Sequence, residues 1–333
     1  MQNKNVWIMV GIIVIAVAGF FVFQKRKPTE LQHVTVGIQT SPAMALVMAA
    51  KDKGFFEKQG LDVELKEFAG GKDALAAFLG GSLDFSISGD VPPTLSILAG
   101  NKFVVPAQVV GRTKNEVRVV AKKEAGLDTA DKFFKAKKRK LATSIGGGPE
   151  FFTYEFLNKL GITKDQIEIV AQKPGDIPAA LISGSVDAIA IFDPFAFIAE
   201  KQLGDKSITF TDESVYSELY VIEAKESVKQ DSAMLEKLLK GLVAAEKFVK
   251  DNPEETKTIV IKYTKLDKET VDKIWNSFDF RIALTPQLLE YWNREAQWAK
   301  DSGKVKPETV TPNFRDIIFE APLKKVSSSA VEL

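Results

Sequence analysis

DALAAFLGGSLD, residues Asp73–Asp84, returns 103 residues downstream as DIPAALISGSVD, residues Asp176–Asp187. Each stretch has the apolar spacing of a helix. Each then turns through Gly-Ser, passes one apolar residue, and reaches an aspartate that opens an apolar strand. The same offset sets Asp90 on Asp193, and each of these opens the next helix. Upstream, Pro42 to Gly60–Leu61 resembles Pro149 to Gly161–Ile162, with a difference in length. One helix-to-strand turn would mean little. Two copies with matched flanks predict two lobes of similar wiring.

Outward from the repeat, short apolar runs alternate with helical patterns, which predicts parallel βαβ units and an α/β fold. Strands are expected at Val34–Ile38, Val63–Phe68, Phe85–Ser88 and Val104–Val110. A second series is expected at Val117–Val120, Lys140–Thr143, Ile167–Val170 and Ala188–Phe192. After about Ser207 the pattern changes to long helices. Leu235, Leu238, Leu239, Leu242 and Val243 share one face of Ser232–Asp251. Asn252–Pro253, Asp267 and Thr285–Pro286 have the form of successive N-caps. The faces behind them carry Val271, Ile274, Trp275 and Phe278, then Tyr291, Trp292 and Trp298, an aromatic spacing that predicts core. Residues 34–112 with 207–325 are expected to form one lobe, and 113–206 the other. The Ser-rich end, 326–333, is expected to be mobile.

The 333 residues are 45% hydrophobic, enough for a large core, and the net charge of +1 advertises no nucleic-acid partner. The basic run from Lys135 to Lys140 ends an expected helix, where cations suit the carbonyl end of the dipole. The chain has no cysteine and one histidine, His33. Thiolate metal sites, cysteine nucleophiles and most hydrolytic triads are excluded by that inventory, and no cofactor is expected. Val6–Phe23 is an unbroken apolar run of 18 residues, about 27 Å long as a helix. Residues 1–30 are therefore expected to be a membrane anchor, or a cleaved signal with Ala16–Val17–Ala18 as its site. Lys25–Arg26–Lys27 just beyond fits secretory cleavage poorly, and leaves the orientation open.

Four strand-to-helix junctions share one chemistry: Thr40–Ser41–Pro42, Gly89–Asp90–Val91–Pro92–Pro93, Gly146–Gly147–Gly148–Pro149–Glu150, and Asp193–Pro194. Each sets a cap residue or glycine before a first-turn proline, which costs no hydrogen bond there. Such junctions lie at the carboxyl edge of a parallel sheet, where open α/β folds bind ligands. A cleft between two such lobes would collect all four. The triple glycine lets backbone N–H groups approach an anionic or strongly polar group at a helix start. Neither a P-loop nor a dinucleotide fingerprint is present; Gly70–Gly71–Lys72 lacks the spacing. Asp90 and Asp193 read as caps that can also accept a ligand ammonium or amide. Asp84 and Asp187 read as turn residues. Arg112, after Gly111 where the chain would cross to the second lobe, is a possible clamp for an acid group.

In these residues the chain resembles the periplasmic solute-binding proteins for nitrate, sulfonate and taurine, and the related binders of thiamine-pyrimidine precursors. The resemblance rests on Val36–Pro42, on Gly54–Phe55–Phe56–Glu57–Lys58–Gln59–Gly60–Leu61, on Phe85–Asp90, on the opening at Gly146, and on Gly184–Pro194; it covers residues 34–315. It implies a two-lobed, type II periplasmic-binding-protein fold that closes on a solute and delivers it to an ABC permease and ATPase. By position it implies a cleft of Gln39, Thr40, Ser41, Gly89, Asp90, Ser144, Gly147, Gly148 and Asp193. Phe192 stands where many relatives carry tryptophan, and no cysteine is available for a lipid anchor. A ligand sensor coupled to a signalling partner is an alternative. A thiamine-pyrimidine-forming enzyme is a weaker one, because that chemistry uses several histidines.

Overall fold

Alternating apolar runs build two mixed sheets in the computed structural model, which describes residues 30–333. His33–Leu333 forms one compact unit. The segment Val6–Phe23, expected to be an apolar helix, lies outside the described residues. Among the described residues no helix is long and apolar enough to cross a membrane.

The first sheet takes β1 (Gln32–Gln39), β2 (Leu61–Phe68), β3 (Phe85–Gly89) and β4 (Gln108–Thr113). The second takes β5 (Arg118–Lys122), β6 (Arg139–Thr143), β7 (Ile167–Ala171), β8 (Ala188–Ile191) and β9 (Ser207–Phe210). The chain then returns to the first sheet with β10 (Tyr220–Ala224) and β11 (Phe278–Ala283). The spatial orders are β11-β4-β10-β3-β1-β2 and β7-β6-β8-β5-β9. Aligned as β2-β1-β3-β10-β4 and β7-β6-β8-β5-β9, the lobes share one wiring. In each, the fourth strand arrives from the other lobe and pairs antiparallel with the third. Two crossovers, between β4 and β5 and between β9 and β10, join them.

The repeated aspartates do the same work in both lobes. Asp84 Oδ2 accepts from the Thr35 N–H at 2.8 Å, and Asp187 Oδ2 accepts from the Lys140 N–H at 2.8 Å. Each aspartate's own N–H bonds the carbonyl of the same partner, Thr35 or Lys140. Each turn is thereby fixed to the neighbouring parallel strand, which sets the registers Val36↔Phe85 and Leu141↔Ala188. β3 and β8 are buried along their whole length, since helices cover both faces.

Four expectations about the strands are corrected. The sheets are mixed rather than parallel, because β10 and β5 enter from the opposite lobe. The run Val104–Val110 is broken at Pro106, which has no N–H to give. Val104 and Val105 form single bridges, and β4 starts at Gln108. Phe278 lies on β11, not on a helix face. Phe278, Phe280 and Ile282 point into the core, whereas Asp279 and Arg281 do not, a period of two. β9 pairs with β5 (Val119↔Phe210), so the second sheet runs past the boundary expected at 206.

The long helices behave as their faces predict. Helices Ala233–Asp251 and Pro286–Asp301 bury Leu235, Leu238, Leu239 and Leu242, and Tyr291, Trp292 and Trp298. Asp267 caps the helix Lys268–Ile274 by accepting from the Thr270 N–H at 2.9 Å. The chain end is held rather than mobile. The Leu284 N–H donates to Ala330 O, the Glu332 N–H donates to Leu284 O, and Arg281 pairs with Glu332.

Candidate functional site

The carboxyl edges of the two sheets face a cavity of about 500 Å³. The first lobe lines it with Gln39, Gly70, Gly71, Lys72, Gly89 and Pro92. The second lobe contributes Ser144, Ile145, Gly147, Gly148, Gln172 and Phe192, and the β9–β10 crossover adds Glu218. The Lys72 ammonium donates to Ile145 O at 2.9 Å and so spans the mouth of the cleft.

The glycine turn is built as the sequence requires. Gly146 has φ +84°, a conformation that costs glycine little. Its N–H donates to Glu150 Oε2 at 2.7 Å, and Glu150 pairs in turn with Lys304 at 2.7 Å. Gly147 is the N-cap of the helix Gly148–Lys159, and Pro149 follows in the first turn. Among the described residues, the N–H groups of Gly147 and Gly148 have no backbone acceptor. They lie at the positive end of a 12-residue helix and on the cavity wall, suited to an oxyanion.

Beneath the cavity is a layer of buried acids. Gln39 accepts from the Gly71 N–H at 3.2 Å and donates to the Tyr220 hydroxyl at 3.0 Å; that hydroxyl donates to Glu116 Oε1 at 2.8 Å. The Tyr216 hydroxyl donates to Asp90, and Thr94 donates to Glu295 at 2.5 Å. Burial pushes Asp90 up to about 7. Burial also holds Glu116, Glu218 and Glu295 well above the usual carboxylate range; neighbouring carboxylates, Asp193 beside Glu116 and Asp90 beside Glu218 and Glu295, push the same way. Glu218 enters the cavity between glycines of opposite lobes. A β-carbon at Gly148 would stand 2.6 Å from Glu218 Oε1, and one at Gly89 would overlap the same oxygen.

Of the residues expected at the cleft, Gln39, Gly89, Ser144, Gly147, Gly148 and Phe192 line the cavity. Thr40, Ser41, Asp90, Asp193 and Arg112 are not on its wall. Ser41 spends its hydroxyl on the Ala43 N–H, and the Thr40 N–H bonds Phe68 O. Asp90 is wholly buried under Tyr216. Asp193 accepts from Arg118 at 2.9 Å and from the Phe197 N–H at 3.2 Å, so its oxygens are committed. Arg118 also grips Glu200 with two bonds of 2.8 Å. Arg112 is exposed, opposite Asp279 on the neighbouring strand. His33 is exposed beside Asp62 and Glu64, off the cavity wall.

Lys72, Gln172 and Glu218 were not anticipated. The 103-residue offset sets Ala69 on Gln172 and Gly70 on Lys173, so the loops after β2 and β7 were open to discovery by extending the repeat. Gly70–Gly71–Lys72 has the wrong spacing for a phosphate loop, yet all three residues line the cavity. Glu218 leaves one signal, an acid immediately before the apolar run Leu219–Ile222.

A family model described as the NMT1-like family matches residues 27–263. The chain is 27% identical over 235 residues to a putative binding protein of Brucella abortus, covering 68% of this chain and 70% of that one. It is 26% identical over 259 residues to a putative aliphatic sulfonates-binding protein of Escherichia coli, covering 76% and 79%. The crystal structure of the periplasmic aliphatic sulphonate binding protein of Escherichia coli superposes with a TM-score of 0.74 at 20% identity, covering 86% of this chain and 97% of that one.

Proposed function

The chain belongs to the NMT1-like family, and from that premise we propose that it is the extracytoplasmic solute-binding component of an ABC importer. It closes on a small polar or anionic solute of the sulfonate, taurine or nitrate class, and passes it to a membrane permease driven by an ATPase. The observation that carries this reading is the cavity itself. It lies between two lobes of like wiring, at the carboxyl edges of both sheets, with the Gly147 and Gly148 N–H groups on its wall. Two connecting segments are the number expected of a hinge.

The proposed site is Gln39, Gly89, Ser144, Gly147 and Gly148, joined by Lys72, Gln172 and Glu218, with Phe192 as an apolar wall. Residues 6–23 would export the chain and, if uncleaved, tether it. Calorimetry of the full chain with ethanesulfonate, taurine and nitrate tests the solute class. One of them should bind one-to-one, and silence from all three would overturn it. Protease added to intact spheroplasts should remove the folded body; protection until lysis would overturn the location.

A further inference from the structure

One acid ties the glycine turn of the second lobe to the first lobe. Glu150 is the third residue of the helix Gly148–Lys159, whose cap is Gly147. A glutamate at that position commonly reaches back to the N–H of the cap residue. Here it reaches one residue further, and Glu150 Oε2 accepts from the Gly146 N–H at 2.7 Å. The cap's own N–H is thereby kept for the cavity, which Gly147 and Gly148 line. The other oxygen, Glu150 Oε1, pairs at 2.7 Å with Lys304 of the first lobe, and both side chains are largely buried. The Lys304 ammonium lies 5.3 Å from the centre of the Trp298 ring. Trp298 in turn packs edge-on against Phe151 at 5.4 Å, and Arg294 donates to Glu155 at 2.9 Å, so the helix of the second lobe is seated on the helix Pro286–Asp301 of the first. A carboxylate within one turn of the Gly147 and Gly148 N–H groups repels the same anion that those groups attract, unless a cation beside it cancels its charge.

We infer that Lys304 is a positioning residue for the solute: reaching across from the first lobe, it holds Glu150 and cancels its charge, so that the acid shapes the Gly146–Gly148 turn without repelling the anion that rests there. The inference rests on the cleft being the site of an anionic solute. The turn then attracts an anion fully only while the first lobe keeps Lys304 beside it.

A double-mutant cycle on the full chain tests it, by calorimetry with ethanesulfonate, taurine and nitrate and a thermal melt of each variant. Lys304→Met keeps an apolar stem against Trp298 and strips the charge, and affinity should fall about five- to tenfold. Lys304→Gln repeats the test with a polar side chain and guards against a fold defect in the methionine variant. Lys304→Arg keeps the charge and should bind within about twofold of the parent. Glu150→Gln keeps an oxygen for the Gly146 N–H, and should bind as tightly as the parent or more tightly. The double variant Lys304→Met with Glu150→Gln carries neither charge and should recover to within about threefold of the parent. A lysine that only pinned the lobes together would leave the double variant as weak as Lys304→Met. That result overturns the inference, as does unchanged affinity in folded Lys304→Met, and either leaves the importer reading standing. Silence of the parent toward all three probes removes the oxyanion reading of the cleft and takes this inference with it.

Discussion

Gly147→Asp sets a fixed negative charge where the acidic end of the solute is proposed to rest. The backbone tolerates the change: Gly147 has φ −146° and ψ −176°, open to any residue, and a β-carbon there would have Pro149 Cδ at 3.8 Å as its nearest neighbour. Gly147 is also an N-cap, a position that aspartate favours, so stability should hold or rise by a few tenths of a kcal/mol. The electrostatic effect is larger. Two unit charges about 5 Å apart at an effective dielectric near 20 repel by about 3 kcal/mol, and water in the cleft mouth reduces that to about 1.4–3 kcal/mol. Affinity for an acidic solute should therefore fall about 10- to 100-fold with no loss of Tm. Gly147→Ser adds bulk without charge and should cost less than about threefold. Calorimetry gives the affinity and a melt gives the fold. A folded Gly147→Asp that binds within twofold of the parent would refute placement of the acidic end on this turn.

Asp193→Asn should lower Tm and leave affinity near the parent value, because Asp193 serves Arg118 and the Phe197 N–H rather than the cavity; an affinity loss with unchanged Tm would return it to the site. Arg118→Ala leaves Asp193 and Glu200 without their partner and should cost about 3–5 kcal/mol by denaturant unfolding. Lys72→Met removes the bond to Ile145 O across the mouth; ligand dissociation should quicken several-fold in stopped flow, and an unchanged rate would deny that bond a part in closure. Glu223, bonded by Ser86 and Ser88, is pushed by burial up to about 7. Its folded form holds a proton that the unfolded chain releases near pH 4.5, so its contribution is full below that pH and is lost as the pH rises through about 7. Glu223→Gln should thus stabilise the protein at pH 7.5 by up to about 2–3 kcal/mol and change little at pH 4.5, as read by melts at both pH values.

Both lobes were legible because Asp84 and Asp187 carry the same structural duty, and that duty forced the same string of residue types twice. The helix faces around Leu235 and Trp292 were legible because their apolar spacing is long and regular. The crossing strands were not. β10 is short and apolar, and nothing in its sequence says that it must pair antiparallel beside β3. β11 alternates at period two in Phe278–Ala283, yet the apolar residues just upstream, Val271 and Ile274 in the helix Lys268–Ile274 and then Trp275, concealed the change of period. At the site, glycines and cap positions were readable because local backbone geometry demands them. Asp193 and Asp90 read as ligand groups only because their real partners, Arg118 and Tyr216, are distant in sequence, and Glu218 was hidden for the same reason.

The central claim is that one solute is held by both lobes at once. Hydrogen exchange of the full chain, with and without a solute shown by calorimetry to bind, tests this most directly. Slowed exchange is predicted in segments from both sides of the cleft, Ala69–Asp73 and Ser144–Phe152, together with the crossover around Glu218. Protection confined to one lobe, or lying away from these segments, would contradict a solute clasped between them.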